Sequence, residues 1–159
     1  MTPEFKQINN TSLDEVWSRI LSIEEECFPE DLRFSEEELL DNCGNSESVL
    51  ITVSDNGDIA GFCNVRPAHA LDYLDFETIE ERKDTLYVVD IAVMKKYQNR
   101  GLGTLMLKYL MESTTAKRYS AHVVSSSSKS MFLKAGFTEA GTFEKWMGEH
   151  SSIYMTCVK

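Results

Sequence analysis

Three features of the sequence predict an α/β fold built on a mixed central sheet of about seven strands with about four flanking helices. Helix-periodic segments alternate with β-branched runs, and an Asn-Gly pair at Asn56-Gly57 joins two of those runs. A nearly unbroken apolar run, "TLYVVDIAV", then leads through "MKKYQNRGLG" into a further helix-periodic segment. The predicted order is β-α-α-β-β-β-α-β-α-β-β, with parallel central crossovers, as one domain over residues 1–159.

Each element has its own signal. "FKQI" reads as a short strand, and "SLDEVWSRILSIEEECF" places Leu13, Val16, Trp17, Ile20, Leu21 and Ile23 at helical spacing behind a Ser12 cap. Beyond Pro29, Ser35 before "EEELL" repeats the cap-and-acid pattern and opens a shorter helix. "SVLITVS" and "IAGFCNV" flank "DNGD" as a hairpin. Residues 66–84 form a long connection in which Leu71, Leu74, Phe76 and Ile79 would line one side of a short helix. It reads as a structured insertion, either a surface excursion or a lid facing substrate. "TLYVVDIAV", apolar apart from Asp90, suits a central strand covered on both faces. "LGTLMLKYLMESTTA" is a helix and "YSAHVV" a strand; "SKSMFLKA" is a helix stopped by Gly136, and "FTEAGTFEK" and "SSIYMTCVK" close the sheet.

A chain of 159 residues can bury a substantial core without staples. The cysteines, Cys27, Cys43, Cys63 and Cys157, have irregular spacing and no CxxC, so free thiols are expected rather than a disulfide or a metal site. No run is long and apolar enough to span a bilayer, and "MTPEFKQINN" lacks a signal-peptide pattern, so no membrane association and a cytoplasmic location are expected. The net charge of −10 argues against nucleic acid and suits an amine or basic peptide partner. Oligomeric state is left open, although an exposed closing strand would suit a homodimer.

The stretch "KKYQNRGLG" is the chemical signal. A strand entering a helix through a Gly-containing turn presents unpaired N–H groups at the positive end of the helix dipole, a seat for phosphate. Gly101 and Gly103 would permit close approach and Lys95, Lys96 and Arg100 would supply cations, unless the glycines serve only a tight connection. A dinucleotide fingerprint fails because Met106 stands where the third small residue belongs, and a P-loop pattern is absent.

The pattern Q/R-x-x-G-x-G/A after "DIAV" resembles the acyl-CoA signature of the GCN5-related N-acetyltransferase (GNAT) superfamily. "KAGF" at Lys134–Phe137 and "SIYMTC" resemble its later motifs, and "IEEECFP" with "SEEELL" is similar to the branch that acetylates protein N-termini. The resemblance implies acetyl-CoA as co-substrate and a small-molecule, peptide or protein amine as acceptor. Attack would be direct, within a ternary complex; a CoA-binding module with weak turnover is the alternative. Ile91, Ala92 and Val93 would meet the pantetheine arm, and Gln98, Asn99, Arg100, Gly101, Leu102, Gly103 and Thr104 the pyrophosphate. Ser125 stands at the family's usual Asn position and is included on the cofactor side. A backbone N–H near Ile91 would stabilise the oxyanion.

For proton transfer the candidates are Asp90, Tyr87 and His122, each with a structural alternative: a buried hydrogen bond for Asp90, a core or cavity-wall position for Tyr87 and a satisfied histidine for His122. An unperturbed imidazole would titrate near pH ~6.5. Phe132 stands where relatives carry a Tyr acid, with Tyr154 as a substitute hydroxyl. Phe28, Pro29, Glu30 and the "WMGEHSS" loop from Trp146 would line the acceptor groove. Cys27 and the other thiols lie far from the signature along the chain, so no acyl-enzyme is indicated, and no metal is implied.

Overall fold

The computed structural model describes residues 2–74 and 76–159. Among them are seven strands: β1 (Pro3–Ile8), β2 (Val49–Asp55), β3 (Asp58–Pro67), β4 (Thr85–Val93), β5 (Arg118–Val123), β6 (Thr138–Met147) and β7 (His150–Val158). Five α-helices accompany them: α1 (Leu13–Cys27), α2 (Glu36–Gly44), α3 (Ile79–Arg82), α4 (Leu102–Ser113) and α5 (Ser126–Lys134). The fifth, α3, is a single turn within the 66–84 insertion.

The strands form one sheet in the order β1-β2-β3-β4-β5-β7-β6. Only β4–β5 is parallel, so the expectation of several parallel crossovers reduces to the single one made by α4. The last strand, β7, is not an edge. The β6–β7 hairpin inserts it between β5 and β6, and this removes the exposed closing strand that had suggested a dimer.

Local chemistry explains most boundaries. Asn56 and Gly57 both take positive φ, 51° and 83°, the condition for a two-residue turn that follows strand twist. Ser35 and Glu38 close a capping box on α2. Ser12 departs from expectation: its side chain makes no cap, and Asn9 gathers the turn instead, accepting from the Thr11 and Ser12 amides. Gly136 ends α5 at φ 104°, with the Phe137 N–H reaching back to the Phe132 carbonyl.

Two apolar layers sandwich the sheet. α4 and α5 cover one face through Leu102, Met106, Leu107, Leu110 and Phe132; α1 and α2 cover the other through Leu13, Ile20, Ile23 and Leu39. The insertion adds a third cluster, in which Leu71 and Leu74 are buried against Tyr87 and Tyr154. Phe76 instead lies against the Phe143 and Tyr154 rings and Ile79 faces solvent, so the four do not share one helix face; Asp75 lies outside the described residues. A capping box between Thr78 and Glu81 and an Arg118–Glu77 ion pair tie the segment down.

Two irregularities in β4 make the cleft. Asn64 pairs with Asp90 and Val65 with Val88, so Val89 is an extra residue and the alternation shifts by one. Leu86 and Val88 before the bulge, and Ile91 and Val93 after it, pack with the α4 layer, whereas Asp90 turns toward α1 together with Ala92. β4 also pairs with β5 only from Thr85 to Tyr87, and beyond Tyr87 the two strands separate.

Candidate active site

The gap between β4 and β5 opens into two cavities of about 520 and 460 Å³ that share Phe28, Leu32, Ile91, Val124 and Ser128 as walls. They form one continuous cleft where the two central strands part.

The smaller cavity contains most of the residues assigned to the co-substrate. Ile91, Ala92, Val93, Gln98, Asn99, Gly101, Leu102, Gly103, Thr104 and Ser125 all line it. Gly101 caps α4 at φ 76°, and a Cβ there would meet nothing within 4 Å, so this backbone faces open space at the helix N-terminus. Gly103 has a further reason for being glycine. A Cβ would lie 2.2 Å from Met131 Sδ, so its missing side chain also lets α5 approach α4.

The cations are also redistributed. Arg100 pairs with Asp55 at 3.6 Å, Lys96 pairs with Asp58 at 3.6 Å, and both lie over the Tyr97 ring. Asp58 further takes two bonds from Arg19 Nη2 and one from Tyr97 Oη, and these contacts hold its carboxyl below the usual range, the Tyr97 bond contributing most. These basic residues therefore anchor the signature loop to the β2–β3 hairpin, and Arg100 is not among the cleft walls. Lys134 of α5 does line the cleft, beside Ser127, Ser128 and Ser130. Sequence reasoning did not assign these residues to the cleft; for the serines the signal was "SSSSKS" at the start of a helix. Ser125 Oγ itself accepts from the Ser128 amide as the α5 cap.

The larger cavity brings together Tyr87, Asp90, His122, Phe28 and Trp146, which sequence spacing alone had scattered. Pro29 falls on the co-substrate side, and Glu30 is on neither wall. Arg66, Glu38, Asp41 and Asn42 form a polar end; Arg66 donates to Asn42 Oδ1 at 3.1 Å. His150 Nε2 and Asp31 Oδ2 meet at 2.7 Å, linking the α1–α2 loop to the start of β7.

Burial alters every proton-transfer candidate. His122 is stacked under Trp146 with centroids 3.4 Å apart and planes 14° from parallel. Its Nδ1 meets Ser152 Oγ at 2.9 Å and its Nε2 is buried without a partner. Desolvation lowers its pKa to about 3, so the expectation of titration near the ordinary value fails. Burial pushes the Tyr87 phenol well above its ordinary value. The Asp90 carboxyl is likewise raised, first by desolvation and then by Glu24, with the Ile91 backbone N–H acting in the opposite direction.

Phe132 is 2 % exposed and packs edge-on against Phe137 while lining the larger cavity, so no hydroxyl occupies that position. Tyr154 does not replace it: its hydroxyl donates to the Glu77 carboxylate, its pKa is raised by burial, and it lines neither cavity. Cys27, distant in sequence, is at the site in space and donates Sγ–H to the Val93 carbonyl at 3.2 Å. Burial and then Glu26 push its thiol up to about 12, which keeps it protonated and unfit as a nucleophile. Among the described residues no group of three or more His, Cys, Asp or Glu could hold a metal ion, and no helix is long and apolar enough to cross a membrane.

Comparison with known proteins agrees with this geometry. The model of the acetyltransferase (GNAT) family matches residues 17–137. The uncharacterized N-acetyltransferase YkwB of Bacillus subtilis is 30% identical over 116 residues, 63% of this chain and 51% of that protein, so the chain spans about half the length of this curated relative. The ribosomal-protein-S18-alanine N-acetyltransferase of Escherichia coli superposes with a TM-score of 0.74 at 19% identity, covering 99% of this chain and 94% of that one. Arabidopsis thaliana NAA60, solved with a bisubstrate analogue, gives 0.70 at 14% identity over 99% and 98% of the two chains. At such identities the two structures speak for the fold, whereas the family model spans most of the chain, its signature loop and the strand that opens the cleft: the chain belongs to the acetyltransferase (GNAT) family.

Proposed function

We propose that this protein is an acetyl-CoA-dependent N-acetyltransferase that acetylates a primary amine by direct attack within a ternary complex. The observation that carries the reading is the continuous cleft between β4 and β5, with an anion seat at one end and an aromatic, partly acidic cavity at the other. A donor lying along Ile91–Val93 with its pyrophosphate at Gly101 would present its thioester where the two cavities meet. The amine nitrogen attacks the carbonyl carbon, a backbone N–H of the bulged Val88–Ile91 segment steadies the oxyanion, and the carbon–sulfur bond breaks to release CoA thiolate. The proton shed by the amine passes to water held at Asp90, Tyr87 or His122, since burial keeps Tyr87 protonated and leaves His122 a weak base. Phe132 offers no proton, so the thiolate departs unassisted; an ordinary thiol pKa near ~8.5 makes that feasible.

A CoA-binding module with little turnover is the second reading, and Phe132 is the observation that favours it. Release of CoA thiol from acetyl-CoA across a panel of amines and peptides separates the two. The enzyme reading expects amine-dependent release; tight CoA binding with release at background for every acceptor would sink it.

A further inference from the structure

Glu24, on the last turn but one of α1, is 2 % exposed, and Asp90, on the bulged segment of β4, is 6 % exposed. Ile20 and Ile23 of α1 share a buried cluster with Ala92 of β4, and Glu24 is the side chain that acts most strongly on the Asp90 carboxyl, by hydrogen bonding and by charge. Glu24 Oε2 accepts the Phe34 N–H at 3.0 Å, whereas Glu24 Oε1 and Asp90 Oδ2 are both buried with no donor. Asn64, directly opposite Asp90, supplies none: its Nδ2 is committed to the Asn42 and Val49 carbonyls, leaving an acceptor oxygen as its unpaired atom. Two orphaned carboxyl oxygens on neighbouring buried side chains leave a place for one proton, because two buried carboxylates with no counter-charge repel each other strongly.

We propose that Glu24 is a positioning residue for the acceptor cavity: it and Asp90 hold one proton between their carboxyl groups, and that proton keeps the α1–α2 wall seated on β4. Through the Phe34 amide the same carboxyl fixes the end of the 28–35 loop, whose Phe28, Leu32 and Phe34 form one wall of the larger cavity. The ionisable groups that sense Asp90 are Glu24 and Cys27 from α1, Cys43 from α2 and Cys63 from β3, and none is a cation. Burial raises all three thiols, so they stay neutral and offer no counter-charge. The raised Asp90 pKa fixes the sign: stability declines as pH rises from the ordinary carboxylate value through the raised one, as the shared proton is lost and the two charges repel.

The role of the wall in acceptor binding rests on the proposed function; the shared proton does not, and the test reads the two separately. In wild type, amide-exchange protection of residues 28–35 and acceptor KM should both weaken on the alkaline side. The limiting slope for one proton is about tenfold per pH unit. Glu24→Gln, which can donate to Asp90 and accept from Phe34 without a titrating proton, should abolish that alkaline weakening. Glu24→Ala should raise acceptor KM at every pH with a much smaller change in kcat. Infrared spectra of wild type minus Asp90→Asn at neutral pH should show a protonated carboxyl stretch, and this measurement decides even if Glu24→Gln fails to fold. Absence of that stretch, protection in wild type that does not change with pH, or a Glu24→Gln variant that keeps the alkaline weakening would each overturn the proposal. If no amine is acetylated, the functional reading falls while exchange and infrared still report on the pair.

Discussion

The His122 imidazole is bracketed by the Trp146, Tyr87, Phe143 and Tyr154 rings, and its basicity belongs to that surrounding rather than to histidine as such. With a folded pKa of about 3 it stays neutral while the unfolded chain takes up a proton below the ordinary value of 6.5. Its contribution to stability is therefore complete above pH ~6.5 and is lost as pH falls toward ~3, on the order of 1–2 kcal/mol once partial exposure is discounted. His122→Phe should flatten that acid limb in urea titrations at successive pH values. Trp146→Ala should let water reach Nε2 and move the His122 titration, followed by NMR, upward toward neutrality. An unmoved titration would show that Trp146 is not what desolvates the ring. The residue types at this site were legible in the sequence, but their protonation was not, because desolvation is set by rings that lie far apart along the chain.

The elements were legible wherever the signal was local. The hairpin at Asn56-Gly57, the Ser35 capping box and the Gly136 stop each depend on a few adjacent residues, and each forms as the sequence predicts. Gly103 carries a packing constraint that its neighbours in sequence do not show, because it comes from another helix. Filling that position should push α5 from α4: Gly103→Ala should cost about 1–3 kcal/mol, the usual range for overpacking. The Met131 thioether is flexible and can yield in part, so the lower end of that range is expected, and Gly103→Ala with Met131→Ala should recover most of the loss in chemical denaturation. No recovery would mean that the backbone, not the Met131 side chain, sets the helix spacing. The 66–84 insertion behaves similarly: it is structured as expected, but Leu71, Leu74, Phe76 and Ile79 do not share one helix face, Leu71 and Leu74 being buried and Ile79 exposed.

At the scale of the molecule, the co-substrate seat and the sheet depend on each other through the splay of β4 from β5. A ligand that binds only the folded chain stabilises it by about 2.7 kcal/mol at a hundredfold excess over its Kd. CoA should therefore raise the wild-type melting temperature by several degrees. Gly101→Asp should remove that rise while leaving the fold in place, since an added side chain meets open space and the cost is one strained φ plus a negative charge at the anion seat. An undiminished CoA-induced rise in that variant would remove the seat assignment.

By itself the sequence determined the element order and the turn chemistry and pointed to an anion seat, since each is written in residues within a turn or two of one another. Only the tertiary structure placed β7 inside the sheet, tied Lys96 and Arg100 to the hairpin acids, and brought Cys27 to the Val93 carbonyl. It alone set Glu24 beside Asp90, residues separated along the chain by two α-helices and two strands. The physical reason is range. Backbone preference and hydrophobic period act between neighbours, whereas desolvation, charge pairing and close packing act between whatever surfaces the fold presses together.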